Sequence, residues 1–113
     1  MITEDYVNSK QAQKLKEKGF DGECTTAYQP EDNDTFHSDH PENWNIYKDT
    51  ISIPTHQMVL KWFRKKNNIH IYIEHYEDGG YSFMVRDHID PNMYDTHEEA
   101  TNAAIDYVLD NLI

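Results

Sequence analysis

One stretch constrains what this chain can fold into more than any other. From residue 69 it reads Ile69-His-Ile-Tyr-Ile-Glu-His-Tyr76, then Glu77-Asp-Gly-Gly80, then Tyr81-Ser-Phe-Met-Val-Arg-Asp-His88. Apolar and polar residues alternate on both sides of a glycine pair, which predicts a β-hairpin with strands over about 69–76 and 81–88. Side chains of a strand point alternately to two faces, so the register decides whether the apolar set stays together. A two-residue loop would scatter it. A three-residue loop, Asp78-Gly79-Gly80 with a glycine in the left-handed region, sets Ile73 opposite Val85. Ile69, Ile71, Ile73, Tyr81, Phe83 and Val85 then share one face, and His70, Tyr72, Glu74, Tyr76, Met84 and Arg86 share the other.

The apolar face needs cover, and the flanking sequence offers helices. Thr96-His-Glu-Glu99 has the form of a capping box. The helix that follows, over about 96–112, carries Ala100, Ala103, Ala104, Ile105, Tyr107, Val108, Leu109 and Leu112 in an arc, broken by Asp106 and Asp110, that is wide enough to touch more than the sheet. A second helix, over about 55–66, begins near Pro54 and gathers Met58, Val59, Trp62 and Phe63 on one side. Lys61, Arg64 and Lys65 fall opposite. Asn8 with Gln11, and Gly19 beyond, frame an N-terminal surface helix over about 8–18. A short strand is expected at 24–28. Residues 29–45, QPEDNDTFHSDHPENWN, are rich in Pro, Asp, Asn and Ser and read as a polar, potentially mobile loop. The fold expected is α+β, a small antiparallel sheet built on the hairpin with the two later helices on one face.

With 113 residues the chain has room for a single domain, 1–113. Its formal net charge of −11 argues against direct nucleic-acid binding, which depends on neutralising phosphates. Eight of the ten Lys and Arg fall between Lys10 and Lys18 or between Lys61 and Lys66, which reads as two solvated faces. Cys24 is the sole cysteine, and no leader-like or membrane-spanning run stands out, so a cytoplasmic setting without a membrane partner is expected.

Chemical motifs are weak. His37, Asp39 and His40, with Asp34 and Glu42 nearby, form the densest group of metal-ligand types, but on a segment with nothing to fix coordination geometry. His97-Glu98 fails as a zinc-hydrolase helix because Thr101 stands where the second histidine belongs. Cys24 has no identifiable base and reads as a small buried hydrophobe. No catalytic, cofactor or metal residues are therefore assigned. Tyr72, Tyr76, Met84 and Arg86, on the hairpin's second face, are the one candidate partner-binding set. In residue type Tyr72, Tyr76 and Arg86 resemble a stacking platform for bases, but the acidic surroundings favour a half-covered sheet face.

Four stretches carry a resemblance over the whole chain: Met1-Ile-Thr-Glu-Asp-Tyr-Val7, Leu15-Lys-Glu-Lys-Gly-Phe20, Pro54-Thr-His-Gln-Met-Val-Leu-Lys-Trp62, and Thr96-His-Glu-Glu-Ala onward to Ile113. With these the chain resembles a group of small uncharacterised proteins of gut anaerobic bacteria, their phages and mobile elements. The resemblance implies a compact domain and a mobile-element setting, and no activity. Residues 69–113 are also similar to the HicB-type antitoxin domain, through the hairpin with a Gly-Tyr turn and the Thr-x-Glu-Glu-Ala helix. Here Asp90-Pro91-Asn92-Met93 replaces that family's usual turn after the second strand. The function expected is a non-enzymatic, acidic protein-interaction domain, partnered or self-associating, without cofactors. Two alternatives stand beside it: a DNA mimic that occupies a nucleic-acid-binding enzyme, and a small metal-dependent enzyme using His37 and His40.

Overall fold

A computed structural model describes residues 4–113; the first three residues of the Met1-to-Val7 stretch lie outside that range. Among the described residues the architecture is α+β, with three α-helices and two three-stranded antiparallel sheets, and the chain divides after Met58 into two compact units. Among the described residues, no helix is long and apolar enough to cross a membrane.

In the first unit, α1 (Ser9–Glu17) is capped as its sequence predicts. The Asn8 side chain accepts from the Gln11 N–H at 2.8 Å, and the Gln11 side chain accepts from the Asn8 N–H at 3.0 Å. At the far end Gly19 takes φ +88°, and the Phe20 N–H reaches the Leu15 carbonyl. The helix exposes most of its surface and buries Gln11, Ala12 and Leu15. Strands β1 (Cys24–Gln29), β2 (Asp34–Glu42) and β3 (Ile51–Ser52) form a sheet in the order β2-β1-β3.

Strand β2 corrects the expectation of a polar, potentially mobile loop at 29–45. Thr26 pairs with His37, Ala27 with Phe36 and Tyr28 with Thr35. The register then slips before Cys24 meets Glu42, and residues 38–41 bulge out of the ladder. The segment looked loop-like because it is an edge strand, where charge and a proline discourage pairing with other chains. What anchors it is non-local. The Trp44 indole N–H donates to the Cys24 carbonyl at 2.7 Å, and the Asn45 side chain donates to the Phe20 carbonyl and accepts from the Ser52 N–H. Phe36 stands edge-on to Trp44, with centroids 5.1 Å apart.

Helix α2 (His56–Asn67) runs across the division between the units. The Thr55 hydroxyl accepts from the Met58 N–H, and the helix stops where Asn68 turns left-handed at φ +52°. Val59 and Phe63 are fully buried while Lys61, Arg64, Lys65 and Lys66 are exposed, as the 3.6-residue period requires.

The second unit holds β4 (Ile71–His75), β5 (Tyr81–Val85) and β6 (His88–Ile89) in that order, followed by α3 (His97–Asn111). The hairpin register differs from the expected one by one loop residue. Ile73 faces Phe83, not Val85, and Ile71 faces Val85. A further pair explains the shift: the Tyr76 N–H bonds the Gly80 carbonyl, which leaves Glu77-Asp78-Gly79 as the three-residue loop with Gly79 at φ +88°. The pairing moves by two positions, so no side chain changes face. Ile71, Ile73, Tyr81, Phe83 and Val85 share one face as expected, and α3 packs across β4 and β5.

The second strand also ends early. The chain turns at Arg86-Asp87, and His88–Ile89 pairs back on Met84 and Val85 as a third strand. Helix α3 buries Ala100, Ala104, Ile105, Val108 and Leu109. Its cap is half of the predicted box. Thr96 accepts from the Glu99 N–H at 3.1 Å, but the Glu99 carboxylate reaches past Thr96 to the Asp95 N–H.

Candidate functional site

The two faces of the β4-β5-β6 sheet have opposite fates. On the inner face His88 stacks on Tyr107 of α3, with centroids 4.0 Å apart and planes 9° apart, and Phe83 packs 6.0 Å from the same ring. His75 stacks on Tyr81 at 4.7 Å, and His97 meets Tyr81 edge-on. This face is filled with aromatic and aliphatic groups.

The outer face is not. The register places Tyr72 opposite Met84, and Met84 opposite Ile89, so these three form one row running across all three strands. Tyr72 is 56 % exposed and Ile89 67 % exposed, with Met84 half-buried between them. Single exposed apolar residues are common, whereas here three apolar residues are contiguous. At one end Tyr76 donates to the Glu74 carboxylate at 2.9 Å, and that bond to an anion raises the Tyr76 pKa.

Residues 90–94 close the sheet's edge. The Tyr81 and Tyr94 backbones exchange hydrogen bonds of 2.8 and 2.7 Å, and the buried Ser82 hydroxyl donates to the Asp90 carbonyl. The Tyr94 hydroxyl donates to the Asp90 carboxylate at 2.7 Å. This brings Met93, 53 % exposed, against Gly80; a Cβ on Gly80 would lie 3.0 Å from the Met93 Cε.

Of the four residues expected to form a partner face, Tyr72 and Met84 sit together in the row, and Tyr76 lies at its hairpin end. Arg86 does not share the row. It occupies the β5–β6 turn at φ +54°, a left-handed position that costs a non-glycine residue about 1 kcal/mol. Ile89 joins the set without having been foreseen, because the sequence shows no glycine or asparagine at the turn that brings it back, and Met93 lies at the Gly80 end of the sheet.

The other candidates do not assemble into sites. His37 lies in the ladder and shares a 2.8 Å hydrogen bond with the Thr26 hydroxyl, whereas His40 lies in the bulge, where its N–H bonds Ser38. Among the described residues no three His, Cys, Asp or Glu side chains lie together as a group that could hold a metal ion. Cys24 is buried, and desolvation pushes its thiol up to about 11, opposite to what a nucleophile needs. Thr101 turns its hydroxyl onto the His97 carbonyl, the bond to the carbonyl four residues back that threonine makes inside a helix. The chain matches no family model, no curated protein and no solved structure.

Proposed function

We propose that this chain is a non-enzymatic protein-interaction domain that docks through the open face of its β4-β5-β6 sheet. The observation that carries the reading is the Tyr72–Met84–Ile89 row, an apolar strip that the pairing of three strands makes continuous. The occupant is a protein surface that is apolar at its centre and basic at its rim. Acidic residues Glu74, Glu77, Asp78, Asp87 and Asp90 flank the row in sequence, and a chain of net charge −11 repels a second copy of itself. A phage or mobile-element setting belongs to the same proposal and rests on the resemblance of the four stretches. Arg86 fits as a specificity element, since its strained backbone would be relieved by glycine.

The exposed remainder of each large side chain is about 100 Å², worth roughly 2.5 kcal/mol when removed from water. A Tyr72→Ser/Ile89→Ser chain should therefore bind its partner at least about 100-fold more weakly. The test is affinity capture with the purified wild-type and double-variant chains at low and high salt. A basic protein retained by the wild type, released by salt and not held by the variant supports the reading. Equal retention by both chains, or a wild-type chain that retains nothing, contradicts it.

A further inference from the structure

The first unit carries a cleft of about 420 Å³ on the β1–β2 face of its sheet, within the size range of small-molecule sites. Thr26 and Tyr28 of β1 and Thr35 and His37 of β2 form its floor, because the ladder pairs Thr26 with His37 and Tyr28 with Thr35 on the same side. Ser9 adds a fourth aliphatic or phenolic hydroxyl from the start of α1, and Val7 and Ile53 supply apolar wall. The cleft lies wholly outside the sheet face described above.

Its chemistry is selective. Among the described residues that line it there is no Lys, Arg, Asp or Glu, so an ionic ligand would find no permanent counter-charge. Hydroxyls both donate and accept, which suits a ligand whose own groups do both. Two of them are already oriented. Thr26, only 3 % exposed, is tied to the His37 Nδ1 at 2.8 Å, and Tyr28 donates its proton to the Asn33 side chain at 2.7 Å, leaving its oxygen to accept. Tyr6 and Tyr28 add aromatic rings that can lie against the C–H face of a saturated ring.

We propose that this cleft binds a neutral, hydroxyl-rich ring of the monosaccharide class. Threonine-methyl and histidine-ring NMR signals of the full chain are followed during titration with methyl glucoside, methyl galactoside and N-acetylglucosamine. Inorganic phosphate and putrescine serve as charged counter-probes. The expected result is saturable shifts at Thr26, Thr35 and His37 with at least one sugar and none with the charged probes. Thr26→Val should weaken that binding about tenfold, the loss of one hydrogen bond to a buried polar partner. Thr35→Val, at an exposed position, should weaken it in the same direction without risk to the fold. No saturable shift with any sugar, shifts with phosphate or putrescine instead, or unchanged affinity in both variants overturns the proposal.

Discussion

Cys24 offers a sharp test of the first unit's packing. Its side chain is 1 % exposed, and burial raises the thiol pKa from the usual 9.0 to about 11, against a smaller lowering pull from Ser52. In the unfolded chain the thiol ionises near 9, whereas the folded chain holds the proton until near 11. Between those values the native state binds the extra proton, so its stability is complete below pH 9 and falls as pH rises towards 11. Integrated to about pH 10.5, the loss is about 2 kcal/mol. Cys24→Ala removes the titration and leaves a small void that costs about 1 kcal/mol at neutral pH. Urea unfolding of both chains from about pH 8 to 10.5 should show that deficit shrink, vanish and reverse by about 1 kcal/mol. Tyrosine ionisation is common to both chains and cancels in the difference. Parallel stability curves for the two chains would refute the reasoning, because a thiol open to water would ionise alike in both states.

Four further substitutions probe the second unit, each read from urea midpoints at neutral pH. Gly80→Ala places a Cβ at φ +112° and 3.0 Å from the Met93 Cε, and should cost about 2–3 kcal/mol. Gly79→Ala, at φ +88° with open space around it, should cost about 1 kcal/mol; equal losses at the two glycines would contradict the loop assignment. Thr96→Ala removes the acceptor for the Glu99 N–H and should cost about 1 kcal/mol, and an unchanged midpoint would show that the cap is not formed. Arg86→Gly should gain about 0.5 kcal/mol, the left-handed strain relieved less the entropy that glycine adds to the unfolded chain; a loss would place Arg86 in contacts the turn does not reveal.

How much of this was legible depends on whether the deciding interaction was local. The hairpin could be read because Ile71, Ile73, Phe83 and Val85 alternate with polar residues, and a two-position change of pairing keeps every side chain on its side. The exact loop could not, since either glycine can take positive φ and only the Tyr76–Gly80 bond decides between them. The caps at Asn8 and Thr96 were visible as short patterns, whereas the reach of Glu99 to Asp95 was not. Strand β2 was hidden for a different reason. Its residues have little strand preference of their own, and its order comes from pairing with β1 and from Trp44 and Asn45. Within the candidate site, Tyr72 and Met84 follow from strand parity. Ile89 depends on a turn built from Arg86 and Asp87, which lacks the glycine or asparagine that marks such turns most clearly.

Site-specific photo-cross-linking tests the docking face most directly. A benzoylphenylalanine is placed at Tyr72, in the exposed row, or at Gln13, on the exposed side of α1. The account predicts one adduct with a basic protein from position 72, suppressed by high salt, and none from position 13. Adducts of equal yield from both positions, or none from position 72 while the unmodified chain still captures its partner, would contradict it.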